Sequence, residues 1–243
     1  MTTRIDLQPA YVLHSQPFQN TSLLVDFLCL DHGRLRAVVK GARRPKSRFK
    51  ALLQPFQPLL VTLVGRSELK SLTVAESSVA ALQLQGTRLF SGLYINELLT
   101  RLLMFNEEHP DIYRCYQQAI VALQGEGDLQ RILRSFELQL LEALGYGLNL
   151  QTDCHSGEDI EAEASYLFHP DIGFERVAAV GQPVGAPVSS EAPLFRGAHI
   201  RALAQGAVME RDAAAAALRI TRMALRSHLG DKPLVSRDLF RRL

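Results

Sequence analysis

Eighteen residues, Gly33 to Lys50 (GRLRAVVKGARRPKSRFK), hold eight cations: Arg34, Arg36, Lys40, Arg43, Arg44, Lys46, Arg48 and Lys50. No Asp or Glu falls between Asp31 and Glu68. The chemistry such a run supports is phosphate tracking: each cation that neutralises a phosphate releases counterions and adds affinity without reading bases. Phe49 stands between Arg48 and Lys50, where an aromatic ring can stack on a base. The competing reading is a solvated loop or an address signal that binds nothing in particular. Other cations suited to the same polyanion are Lys70 and the row Arg219, Arg222 and Arg226, at i, i+3 and i+7 of one helix face.

A second constellation is an apolar strip with guanidinium groups at one end: Arg131, Arg134, Leu138 and Leu141. It suits an apolar peptide tail and its terminal carboxylate. The alternative is that this face packs on a neighbouring helix. Bond-making chemistry finds no support. There is no phosphate-binding Gly-rich loop before Lys-Ser/Thr, no His-Glu-x-x-His and no Gly-x-Ser-x-Gly. Glu158, Asp159, Glu161 and Glu163 read as a solvated acidic face, since a two-metal site draws carboxylates from several elements. Cys154-His155 with His169 offers part of a metal site, but no second pair completes four ligands. The expectation is no catalytic residue, no metal and no cofactor.

The elements that carry these residues follow from periodicity. The first eighty residues predict a small all-β domain. Its strands are Gln8–Ser15, Thr21–Leu30, Arg34–Lys40, Leu59–Val64 and Leu69–Ser78, with turns at Asp31-His32-Gly33 and Gly65–Glu68. In the third strand Leu35, Ala37 and Val39 face a core, while Arg34, Arg36, Val38 and Lys40 face solvent. Gly41 then breaks the strand, and Pro45 and Ser47 oppose a helix, so a half-buried strand feeds a mobile basic loop. Five strands at this length predict a closed OB-type barrel, with a small sandwich as the alternative.

From Gly86 the period becomes helical. Helices are expected over Thr87–Asn106, Asp111–Leu123, Asp128–Leu144, Gly197–Ala204 and Arg211–Leu229, with a last short one capped by Ser236. The organisation is therefore α+β: an OB domain over 1–80 and a helical domain over 81–243. Residues 151–193, with Pro170, Pro183, Pro187 and Pro193, form an irregular inserted subdomain. The basic tail around Arg237, Arg241 and Arg242 extends a nucleic-acid footprint or forms a solvated helix face.

Charge is divided in the same way. Residues 1–80 carry net +6, residues 81–218 net −9 and residues 219–243 net +5. Basic ends around an acidic centre point to a polyanion met by the ends. No apolar run approaches a membrane span, and the N-terminus lacks an apolar signal core, so a cytoplasmic protein is expected. Three widely spaced cysteines fit a reducing compartment.

GRLRAVVKGARRPKS, LQPFQPL at 53–59, LYINELL at 93–99, FELQLLEALGYGLNL at 136–150 and LGDKPLVSRDLFR at 229–241 together resemble the RecO family of bacterial DNA-repair proteins. The resemblance implies an OB barrel, a helical domain and, in many members, a zinc-binding insertion. It implies binding of single- and double-stranded DNA and annealing of complementary strands. It also implies engagement of the C-terminal tail of the single-stranded-DNA-binding protein, and loading of RecA together with RecR. The zinc-bearing pattern has two Cys-x-x-Cys pairs after LGYG, and only Cys154 stands here. The insertion is therefore expected to be zinc-free and held by Tyr166, Leu167, Phe168, Ile172 and Phe174. An RNA-binding OB protein is the runner-up, and a nuclease a third class.

Overall fold

The computed structural model describes residues 3–77, 79, 82–177, 193–206, 210–230 and 232–240. Pro183, Pro187, Ser78, Arg241 and Arg242 lie outside the described residues. The chain forms two compact units, residues 1–126 with 233–243, and residues 127–232.

The first unit is built on a closed five-stranded barrel. Its strands are β1 (Arg4–Phe18), β2 (Ser22–Cys29), β3 (Gly33–Val39), β4 (Leu59–Val64) and β5 (Leu69–Glu76), in the order β1-β2-β3-β5-β4. Strand β3 runs parallel to β5, and the other pairs are antiparallel. This is the OB-type barrel. Strand β1 is longer than its sequence pattern indicates because it pairs with β2 along one half and β4 along the other. Register shifts at Val12/His14 and Ile5/Gln8 bend it to close the cylinder. Alternate residues Val25, Phe27, Cys29, Leu35, Ala37 and Val39 fill the interior, with Ala10, Val12, Val61 and Leu63 opposite.

The outer face of the barrel is covered as well. Tyr11 and Leu13 on β1 and Leu28 on β2 are all under 5 % exposed. Helices α2 (Gly86–Leu102) and α3 (Pro110–Ala122) provide cover for β1. The amide of buried Asn96 donates to Val12 O and Leu13 O and accepts from the Tyr116 hydroxyl at 2.9 Å. Tyr11 packs between Tyr113 and Tyr116 at 5.5 and 5.0 Å between ring centroids. A barrel with apolar residues on both faces of one strand needs such a second layer. The change of period near residue 80 marks where strands end, whereas compactness joins these two helices to the barrel. Gly33 shows how close the layers lie: a Cβ there would sit 1.6 Å from Glu107 O, and its φ is +59°.

The chain returns to this unit through α7 (Ser236–Phe240). The Glu97 carboxylate accepts from Val235 N and Ser236 N, both at 2.8 Å. The expected cap, Ser236, has a buried hydroxyl without a hydrogen bond among the described residues. The cap comes from another helix, which sequence spacing does not reveal.

The second unit holds α4 (Leu129–Ala143), a three-stranded sheet of β6 (Ser165–His169), β7 (Gly173–Val177) and β8 (Leu194–Arg196) in the order β7-β6-β8, then α5 (Gly197–Ala204) and α6 (Arg211–Leu229). Asp128 caps α4 through Gln130 N. Phe168, Phe174 and Phe195 form an aromatic cluster on the sheet. Tyr166 is buried, Leu167 is half-buried, and Ile172 is 62 % exposed on the β6–β7 turn, so it does not hold the insertion as anticipated. No helix among the described residues is long and apolar enough to cross a membrane.

Candidate nucleic-acid interface

The basic stretch divides at the end of β3. Arg34 and Arg36 fold back onto the protein. Asp26, the β2 partner of Arg36 across the hairpin, is 2 % exposed. Its carboxylate accepts from Arg34 Nη2 at 2.6 Å, Arg36 Nε at 2.5 Å and Arg36 Nη2 at 2.8 Å. Arg34 also donates to the carbonyls of Thr100 and Leu103, the latter at 3.0 Å. Both guanidinium groups lie over the Phe105 ring, at 4.1 and 4.7 Å. Burial alone pushes the Asp26 carboxyl up, but the hydrogen bonds from Arg36 and Arg34 outweigh it and hold it below the usual carboxylate range. Arg36 is held protonated, chiefly by its hydrogen bond to Asp26. The solvent-facing placement of Arg34 and Arg36 is thus corrected. Arg34 is 8 % exposed and serves the fold, and Arg36 is half-buried. Val38, on the same face, is also buried at 9 %.

Beyond Val39 the cations emerge. Lys40, Arg43, Arg44, Lys46, Arg48 and Lys50 are all exposed. The segment is built of turns with its own anchors. Ala42 is 2 % exposed in the barrel core. Arg43 N donates to Thr21 O of the β1–β2 turn at 2.9 Å. Arg44 N, Ser47 N and Lys50 N close successive turns onto Gly41 O, Arg44 O and Ser47 O. A short helix, α1 (Phe49–Leu52), ends the stretch. Phe49 is half-buried against the barrel core, with the Arg48 guanidinium 5.0 Å from its ring. Part of the ring is thus spent on packing. The Arg43 guanidinium leans on Gln19 O and Asn20 O at 3.4 and 3.5 Å, and Arg48 on Thr73 O at 3.5 Å. These long contacts in solvent leave the charges able to turn to a phosphate. Lys70 is half-buried and donates to Gly65 O at 3.3 Å.

Arg219, Arg222 and Arg226 are exposed on α6 in the second unit, the Arg219 guanidinium lying 5.2 Å from the Phe195 ring. The α4 strip is not an open groove. Arg134 is 4 % exposed and pairs with the buried Glu137 at 2.5 Å, and Leu141 is fully buried. Arg131 is exposed and Leu138 half-buried. Helix α4 packs against α6.

The zinc that the resemblance implies for many members finds no fitting donor set among the described residues. Cys154 Sγ is 3.7 Å from His155 Nδ1, while His155 and His169 point at Glu175, at 3.8 and 2.9 Å. Burial and the nearby Asp153 and Glu175 carboxylates push the Cys154 thiol up, away from the thiolate a metal needs. Among the described residues no group of three or more His, Cys, Asp or Glu converges as metal ligands. The turn is organised by Asp153. Its carboxylate accepts from His155 N, Ser156 N and Arg176 N at 2.8, 2.7 and 2.6 Å, and Cys154 N reaches Phe174 O at 2.8 Å.

The sequence reading missed Asp26 and Phe105 as partners of the strand arginines. One signal for Asp26 was present: a hairpin turning at 30–32 places residue 26 opposite residue 36. Phe105, after α2, carried none.

Two family models match the chain: Recombination protein O N terminal over residues 3–79 and Recombination protein O C terminal over residues 83–238. The DNA repair protein RecO of Salmonella dublin is 43 % identical over 235 residues, covering 96 % of this chain and 93 % of that protein. That of Cellvibrio japonicus is 40 % identical over 237 residues, covering 98 % and 97 %. With both halves matched and such relatives aligned end to end, this chain belongs to the RecO family of DNA repair proteins.

Proposed function

We propose that this chain is a recombination mediator that binds single- and double-stranded DNA and anneals complementary strands coated by the single-stranded-DNA-binding protein, and that it loads RecA together with RecR. The observation that carries the reading is the anchored loop of six exposed cations, Lys40 to Lys50, with no acidic residue in it. Such a surface lowers the repulsion between two polyanions and reads no bases, which is what annealing of arbitrary complements requires. Lys70 and the α6 row Arg219, Arg222 and Arg226 support it from elsewhere in the chain. No covalent step is involved, so the protein acts as a binding machine in the bacterial cytoplasm, at the nucleoid. The acidic, apolar-ended tail of the coating protein would meet α4 through exposed Arg131 beside half-buried Leu138.

The test is annealing of two complementary oligonucleotides coated with the cognate single-stranded-DNA-binding protein, with its tail intact or removed, at low and moderate salt. Fast annealing that needs the tail and falls with salt supports the reading. No acceleration under any condition overturns it, and tight RNA binding in its place would favour an RNA-binding OB protein.

A further inference from the structure

The chain contains no tryptophan, and of its 17 aromatic residues Tyr146 is the most exposed, at 49 %. It is nevertheless firmly placed. Gly145, with φ +82°, ends α4, and Tyr146 N closes onto Leu141 O at 2.8 Å. Gly147 follows so tightly that a Cβ there would sit 1.9 Å from Glu142 Oε2. One face of the Tyr146 ring lies on the His228 imidazole, 3.8 Å between centroids and 18° from parallel. The ring is thus stacked on one side and half-exposed.

The last turns of α6 also carry two arginines. Arg226 shares the last helical turn with His228, and Arg222 lies one turn earlier, about 6 Å along the axis. At about 100° per residue, Arg226 and His228 occupy opposite flanks of that turn. These arginines therefore lie round the helix from the ring, and the stack itself, not a shared cationic face, is what offers an unpaired base a partner. Glu142, beside Gly147, discourages phosphates from approaching there.

We propose that the Tyr146–His228 stack is a second nucleic-acid site, on which one unpaired base of single-stranded DNA stacks. The inference rests on the DNA-binding reading above and deepens it. It assigns the second unit a preference for unpaired strands, because a paired base keeps its faces inside the duplex.

Tyr146→Trp supplies the test, since it introduces the protein's sole tryptophan. Titration with oligo-dT, followed at once by tryptophan emission and by anisotropy of a labelled oligonucleotide, separates stacking from binding. The expected result is quenching that saturates with the anisotropy change, and much weaker quenching with duplex of equal length. Tyr146→Ala should weaken oligo-dT binding roughly 5- to 150-fold while leaving the salt slope unchanged, since a stacked base and not a phosphate contact is lost. Should the tryptophan variant fold poorly, the wild-type protein photocrosslinked to an oligonucleotide carrying 5-iodouracil gives an independent reading: the crosslinked peptide should contain Tyr146. Binding without quenching, or crosslinks only within residues 40–50, overturns this site and leaves the DNA-binding reading intact. Absence of any oligonucleotide binding by the wild-type chain overturns both.

Discussion

Asp26→Asn is the sharpest probe of how the basic strand is used. The carboxylate has a side chain 3 % exposed and holds two guanidinium groups, one of them, Arg34, 10 % exposed. Removing its charge leaves Arg34 a buried cation without a counter-ion. Breaking a buried pair from one side costs about 3–5 kcal/mol. The asparagine carbonyl still accepts one hydrogen bond, which places the loss near the lower end, at about 3 kcal/mol. That is a large share of a domain stability of about 5–15 kcal/mol. Urea unfolding followed by circular dichroism reads it as a lower midpoint at unchanged slope. The double variant Asp26→Leu with Arg34→Met should recover most of the loss, because no charge is then stranded. Acid gives a second check. The carboxyl of Asp26 is held below its unfolded value, so its contribution is complete above about pH 4 and fades as pH falls through the folded value. The wild-type midpoint should therefore drop on acidification by more than that of Asp26→Asn. If the asparagine variant is as stable as wild type, the buried network is not what fastens β3. If Arg34→Met lowers the salt slope of DNA binding by about 0.7, Arg34 contacts a phosphate and its structural assignment fails.

The exposed loop should behave in the opposite way. Replacing Arg43, Arg44, Lys46, Arg48 and Lys50 together by Gln should leave the urea midpoint unchanged. It should lower the slope of log K against log salt for single strands by about 3.5, as fluorescence anisotropy at several salt concentrations will show. On α4 the two arginines should separate: Arg134→Ala lowers stability because Glu137 is left buried without it, whereas Arg131→Ala weakens binding of the coating protein's tail peptide in a titration at unchanged stability. Asp153→Ala removes the acceptor of three backbone N–H groups and should destabilise the second unit by about 3 kcal/mol, exposing residues near 153 and 176 to limited proteolysis. The wild-type unit should keep its thermal midpoint in chelator, and metal analysis should return well under one zinc per chain.

The barrel was legible because its signals are local. Alternation of Val25, Phe27 and Cys29 against Leu24, Asp26 and Leu28 fixes a face, and Asp31-His32-Gly33 closes a tight turn. Helices α4, α5 and α6 were legible for the same reason: their apolar spacing and stop residues lie within one segment. What failed was partnership over distance. Period-two reasoning sends Arg34 to solvent, but the outer face of β3 is a second buried surface under residues 103–107, and a buried cation then needs Asp26 and Phe105. On α4 the stripe of Leu133, Phe136 and Leu140 was visible, but the burial of Arg134 and Leu141 comes from tertiary packing that spacing within one segment does not show. The turn at Asp153 looked empty once cysteine pairs were sought, because a carboxylate gathering backbone donors has no spacing signature.

These corrections sharpen the functional argument. OB barrels bind oligonucleotides on the face of their second and third strands, and here β1, paired with β2, continues that outer face. Here Tyr11, Leu13, Leu28 and Arg34 on that face are buried in the protein's own second layer. A face already filled by protein cannot also hold bases, so under the proposed function DNA meets the turn-built segment beyond β3, where the cations are exposed. A surface of that kind binds phosphates of any sequence and releases them as salt rises. For the annealing proposed above, that is the useful arrangement: the backbone is held, and the bases stay free to pair.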